Sequence, residues 1–345
     1  MDRLPIIDLG SSGEGDGASL TRIAAAVGAA CRHFGFFYVV NHGVEAALIA
    51  EAFTQSRRFF SLSLADKQAL AIEKIGGNRG YSGFLHEALD PARGPDMKEA
   101  FNIGLDLAAD DPELRAGKPF RSLNAWSEPS GFRETAIAYY NACAALGARL
   151  HRAFARDLGL QPDFFTDKFD RPMATLRLLH YPASKAVVAS TGAGEHTDYG
   201  NLTLLATDDV GGLEVRTRDG QWIGAPVVPG AFIVNIGDCL MRWTNDVYVS
   251  TLHRVINRTM RERYSIAFFY DPNPNAMVET IPSCVGKEEV TRYPPILAAD
   301  YLKMRLAASK TAEVDPAGVW PFRAAAAALA LVRRLGGERA ARFWL

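Results

Sequence analysis

Gly194-Glu195-His196-Thr197-Asp198-Tyr199-Gly200 is the stretch from which the rest of the chain can be read. It carries two metal-competent side chains, His196 and Asp198, two residues apart. In extended backbone, side chains at i and i+2 project to the same face, so an imidazole and a carboxylate would converge on one point. A third donor lies downstream, His253 in Ser250-Thr251-Leu252-His253-Arg254-Val255-Ile256. Two imidazoles and one carboxylate on one side of a metal leave the opposite positions open to other ligands. Beyond them comes Arg263-Tyr264-Ser265, at the head of an apolar run ending at Tyr270. Read as a strand, it aligns Arg263 and Ser265 on one face. The arginine fork suits a carboxylate, and the serine hydroxyl adds a donor.

Around these residues the pattern is one of short strands. Residues 174–181, 195–198, 202–207, 213–216, 222–225, 232–236, 249–257 and 264–270 are apolar or alternating runs separated by Gly, Pro, Asn and Asp. Such spacing predicts a jelly-roll-like double sheet. Upstream, strands are expected over 4–9 and 36–40, and helices over 19–33, 44–60 and 63–71. The longest helical pattern runs from Gly131 to Leu158, with Gly159 suited to the C′ position. A further helix is expected over 296–308. The fold class is α+β with a mainly β core, a double-stranded β-helix flanked by helices.

The ordered set H-x-D, His, R-x-S resembles the 2-oxoglutarate-dependent Fe(II) dioxygenases, in the branch that includes isopenicillin N synthase. Four further stretches carry the same resemblance: Pro5-Ile6-Ile7-Asp8-Leu9, Phe34 to Gly43, Lys98-Glu99-Ala100-Phe101-Asn102-Ile103-Gly104 and Arg242-Trp243-Thr244-Asn245-Asp246. The resemblance covers residues 4 to about 306. It implies Fe(II) on His196, Asp198 and His253, and Arg263 and Ser265 holding the distal carboxylate of 2-oxoglutarate. It also implies O2 as the oxidant, succinate and CO2 as products of the cosubstrate, and oxidation of a small organic substrate by hydroxylation, desaturation or ring closure. Tyr181, in His180-Tyr181-Pro182, matches a position whose phenol often contacts the cosubstrate. Leu179 stands where many plant-type members carry Asn, which removes one donor. Arg177, on the same predicted strand face, could offset that loss or bind an anionic substrate.

By the same resemblance, the segment from Tyr81 to Leu105 borders the site mouth. Arg79, Tyr81, Phe84, Glu99 and Phe101 are candidate substrate contacts, each equally readable as core or solvated surface. Residues 1–120 are expected to form the N-terminal region, 121–310 the catalytic jelly roll with its supporting helices, and 311–345 a tail without a family motif. Three other readings use the same residues: an isopenicillin N synthase-like oxidase that needs no 2-oxoglutarate, a zinc hydrolase, and a non-catalytic metal-binding protein. The late Gln that approaches the metal in the first of these has no counterpart, because the last Gln of this chain is Gln221.

Composition excludes several other classes. With 345 residues, 48% hydrophobic and 22% charged, the chain can bury a large core. A net charge of -1 from 38 basic and 39 acidic residues supplies no field for nucleic acid or an anionic membrane. The cysteines at 31, 143, 239 and 284 show no C-x-x-C pairing and read as reduced core thiols. No apolar run reaches membrane-spanning length. The expectation is a cytoplasmic protein with a small-molecule substrate, a monomer or weak homodimer.

Overall fold

The computed structural model describes residues 3–10, 17–84, 86–87, 96–127, 130–183, 190–286 and 290–310. The expected tail, 311–345, lies outside the described residues. Fourteen strands are present among them. These are β1 (Ile6–Asp8), β2 (Phe36–Val40), β3 (Gly80–Ser82), β4 (Glu99–Gly104), β5 (Thr175–Tyr181), β6 (Ser190–His196) and β7 (Leu202–Thr207), then β8 (Leu213–Arg216), β9 (Trp222–Gly224), β10 (Phe232–Ile236), β11 (His253–Asn257), β12 (Arg263–Tyr270), β13 (Met277–Val278) and β14 (Ile296–Leu297). The helices are α1 (Gly17–His33), α2 (Ala46–Phe60), α3 (Leu64–Ala69), α4 (Ile72–Ile75), α5 (Pro112–Arg115), α6 (Phe132–Asp157), α7 (Asp238–Trp243) and α8 (Ala298–Lys310).

From β5 to β12 the chain weaves between two sheets. The larger has the order β1-β2-β10-β7-β12-β5-β4-β3, and the smaller β6-β11-β8-β9. This is the jelly roll expected from the strand spacing. The N-terminal strands extend its larger sheet on both sides: β2 pairs antiparallel with β10, and β4 with β5. Residues 1–306 accordingly form one compact unit.

Side chains alternate across the larger sheet as strand geometry demands. Leu176, Leu178, Leu204, Ile266 and Phe268 join a core shared with α1, α2 and α6. Leu179, Tyr181, Ile233 and Ala267 join a second cluster with Ala193, Val215 and Val255 of the smaller sheet. The helix α6 buries Phe132, Ala136, Tyr139, Cys143, Leu146, Leu150 and Phe154, a stripe at helical spacing, and ends where Gly159 takes a positive φ of +72°. At Gly147 the helix comes so near the sheet that a Cβ would lie 2.6 Å from the Tyr270 ring.

Two expectations need correcting. The helix expected over 63–71 is the shorter α3, with Ser63 as N-cap accepting from the Asp66 N–H at 3.2 Å, and α4 follows it as a separate turn. The strand expected over 195–198 ends at His196, so Asp198 lies in the following turn.

Candidate active site

The turn that carries Asp198 is pinned by α7, an element the sequence signals only as a Gly237-Asp238 turn. The N–H groups of Gly237, Asp238 and Cys239 donate to the carbonyls of Asn201, Asp198 and Gly200 at 3.1, 2.8 and 3.0 Å. Gly237 is needed for this approach, since a Cβ there would lie 2.2 Å from the Gly200 carbonyl oxygen. Across the smaller sheet, β11 puts His253 directly opposite His196. The three donors therefore meet through a strand pair and a turn, rather than through i, i+2 alternation.

Ligand atoms of His196, Asp198 and His253 all lie within 4.8 Å of one another. Asp198 Oδ1 is 3.7 Å from His196 Nε2 and 3.6 Å from His253 Nε2. The other carboxylate oxygen, Oδ2, accepts from Thr203 Oγ1 at 2.5 Å and Asn235 Nδ2 at 2.7 Å. That leaves Oδ1 to face the two imidazoles. Each Nδ1 sits against a backbone carbonyl, Gly194 O at 2.7 Å for His196 and Thr251 O at 3.1 Å for His253. A carbonyl only accepts, so each Nδ1 carries a proton and Nε2 is the nitrogen left to face a metal. Burial first, and then His253, push His196 down from its ordinary pKa, so it stays neutral. Burial alone would raise the Asp198 carboxyl, but His253, His196 and the Asn235 and Thr203 hydrogen bonds outweigh it and hold it ionised. Two imidazoles and an ionised carboxylate form a donor set suited to a divalent metal.

Arg263 lies on the inner face of β12, wholly buried. Its Nε donates to Gly211 O at 2.5 Å and Nη1 to Ser265 Oγ at 3.1 Å, and its guanidinium stacks 4.6 Å from the Tyr181 ring centroid. Its Nη2 is buried without a hydrogen-bond partner. A buried cationic donor left unpaired is costly, and a carboxylate would supply the partner. The residues thus fit both groups: three donors for Fe(II), and an orphaned arginine edge for a dicarboxylate. Leu179 lies directly across from Ser265, on the same face.

The tentative substrate contacts fall in different places. Arg177 faces inward beside Leu179 and Tyr181. Tyr81, Glu99 and Phe101 face the helices, the core reading of these positions. Phe101 and Tyr81 pack on Phe59 at ring distances of 4.4 and 6.2 Å. Glu99 accepts from Lys67, Tyr81 and His180 at 2.8, 2.6 and 2.7 Å. By register, Ala100 and Asn102, not Glu99 and Phe101, share the inner face with Leu179 and Arg177. Phe84 leans edge-on over His180, 6.2 Å away. Arg79 is buried against Gly104 at the far side of the sheet. Thr203, Asn235 and Asn102 were not singled out by the sequence, since nothing local distinguishes a polar strand residue that faces a site.

The chain is similar to known proteins of one family. Residues 4–129 match the family described as non-haem dioxygenase in morphine synthesis N-terminal, and residues 172–272 match the 2OG-Fe(II) oxygenase superfamily. A 2-oxoglutarate-Fe(II) type oxidoreductase of Emericella nidulans is 35% identical over 307 residues, 87% of this chain and 88% of the relative. A full-length Neurospora crassa protein, solved in complex with alpha-KG and thymine, superposes with a TM-score of 0.79 at 34% identity, over 89% of this chain and 97% of that one. JOX2, solved in complex with 2OG, Fe and JA, superposes with a TM-score of 0.73 at 29% identity, over 91% and 90%. Relatives that hold 2-oxoglutarate do not favour the cosubstrate-free alternative. The chain belongs to the 2-oxoglutarate and Fe(II)-dependent oxygenase superfamily, as a dioxygenase that uses Fe(II), 2-oxoglutarate and O2.

Proposed function

We propose that His196, Asp198 and His253 hold the Fe(II), and that Arg263 and Ser265 anchor the distal carboxylate of 2-oxoglutarate beside Tyr181. The observation that carries this is the Arg263 Nη2, buried without a partner on the same face as Ser265. With metal, cosubstrate and O2 bound, the centre supplies oxidative decarboxylation to succinate and CO2, coupled to oxidation of a small organic substrate. The chain's own part is orientation and exclusion of water. Gly194 and Thr251 carbonyls set the imidazole tautomers, Thr203 and Asn235 aim the carboxylate, and Tyr181 confines the guanidinium. We assign residues 121–310 to the catalytic jelly roll with its helices and 1–120 to an N-terminal region that completes its larger sheet. The substrate is a small organic molecule, as are thymine and JA, held by the Neurospora crassa protein and JOX2. Among the described residues no helix is long and apolar enough to cross a membrane.

The test is spectroscopic. Anaerobic protein loaded with Fe(II) and mixed with 2-oxoglutarate should develop the visible charge-transfer band of a chelated keto acid, and should form succinate once O2 is admitted. Absence of both would overturn the assignment.

A further inference from the structure

Rows of side chains can be followed across the inner face of the larger sheet. One row contains Thr203 and Asn235, the partners of Asp198. Another contains Ser265 and Leu179. Between them runs Ile233, Leu205, Ala267, Arg177 and Asn102. Arg177 on β5 and Asn102 on β4 are directly opposed, so their side chains share a face at about 5 Å. Both are displaced laterally from the Asp198 partners, Arg177 by two strand spacings, or roughly 10 Å.

Each of the two side chains is fixed at one end and unanswered at the other. Arg177 donates from Nη2 to Glu87 Oε1, while its Nε is buried without a partner. Asn102 donates from Nδ2 to Asn78 Oδ1 at 3.0 Å, while its Oδ1 is buried without a partner. Asn102 is 1% exposed. An orphaned donor and an orphaned acceptor, side by side on a site-lining face, are costly unless a ligand answers both. The local charge is already balanced. Among the described residues, Arg177 and Lys98 are paired with Glu87 and Asp96, two positive against two negative. The arginine is therefore not available as a counter-ion for an anionic substrate, and what it offers is one directed N–H. The same network reaches the metal strand, where Asp96 Oδ1 accepts from Gly194 N at 3.0 Å.

We propose that Arg177 Nε and Asn102 Oδ1 form the substrate subsite, and that the substrate is a neutral small molecule presenting a carbonyl acceptor beside an N–H donor on one edge, the pattern of a cyclic amide. The proposal rests on the assignment of the centre given above. Arg177 donates to the substrate carbonyl, Asn102 accepts from its N–H, and the ring is held over the inner face toward the metal donors.

The probes are 2-pyridone, its N-methyl derivative, which keeps the carbonyl but lacks the N–H, and benzoate, a planar anion of similar size. Each is titrated into the anaerobic Fe(II) and 2-oxoglutarate complex and read by its perturbation of the charge-transfer band. The expected result is saturable binding of 2-pyridone, with the N-methyl compound and benzoate about 10-fold weaker or worse. Asn102→Leu should abolish the discrimination between the two pyridones. Arg177→Lys, which keeps the charge opposite Glu87, should weaken both pyridones alike. Equal binding of the two pyridones to the wild-type protein, no binding of 2-pyridone, or tighter binding of benzoate would each overturn the subsite. The wild-type series decides on its own if a variant does not fold. A wild-type protein that shows no band at all would instead overturn the cosubstrate assignment, so the two failures are distinguishable.

Discussion

On β5, Leu176, Leu178 and His180 point to the helices, while Arg177, Leu179 and Tyr181 point to the smaller sheet. The two sets treat buried polar groups differently. On the helix side Glu99 is 1% exposed, and its carboxylate oxygens receive Lys67, Tyr81 and His180. Burial alone would raise its pKa, but the His180, Lys67 and Tyr81 hydrogen bonds bring it below the usual value. On the inner side Arg263 Nη2, Arg177 Nε and Asn102 Oδ1 are equally hidden and unanswered. Glu99 itself is satisfied within the fold and belongs to stability, although His180 Nε2 beside it is buried without a hydrogen-bond partner. What sets the three inner groups apart is their place, on the face that carries the partners of Asp198, where a ligand can answer them.

Variants can break this contrast, in descending order of effect on 2-oxoglutarate turnover. His196→Ala should abolish stoichiometric Fe(II) binding and turnover, as checked by iron content after gel filtration. Retained iron at unchanged affinity would sink the metal assignment. Arg263→Ala should weaken 2-oxoglutarate binding about 10- to 150-fold, the worth of a charge-assisted hydrogen bond. Arg263→Lys should not restore it fully, because a point charge lacks the fork. A titration of the charge-transfer band decides both.

Asn235→Leu should lower Fe(II) affinity about 10- to 100-fold by freeing Asp198 Oδ2, a loss measurable by competition with a chelator. Leu179→Asn is a gain-of-binding test. An amide opposite Ser265 should lower the KM for 2-oxoglutarate about 2- to 12-fold, one neutral hydrogen bond. An unchanged KM would mean that position 179 does not reach the cosubstrate. Glu99→Ala probes the other face. It strands Lys67 and should cost about 3 kcal/mol in denaturant unfolding, while the Kd for 2-oxoglutarate stays at the wild-type value. A shifted Kd would erase the distinction between the faces.

How much was legible in the sequence varies with the distance over which a signal acts. Strand alternation is local, so β5, β7, β10 and β12 could be read nearly to the residue, and the inner position of Arg263, Ser265, Arg177 and Tyr181 followed from parity. On β4 the resemblance offered Glu99 and Phe101 as contacts, each equally readable as core, while the residues on the inner face are Ala100 and Asn102. A buried β4 carries no polar–apolar alternation to reveal its phase: all six residues are buried.

The sequence by itself determined the donor types, their order along the chain and the jelly-roll spacing of the strands, because these depend on residue chemistry and short-range periodicity. It could not show that Asp198 leaves the strand and is aimed by α7, Thr203 and Asn235. Nor could it show that each imidazole is oriented by a backbone carbonyl, or that Arg177 is neutralised by Glu87 while its Nε stays unpaired. The Asn235 and Glu87 contacts join positions 37 and 90 residues apart in the chain. Hydrogen bonds of a few ångströms between such distant positions exist only once the two sheets have closed on each other.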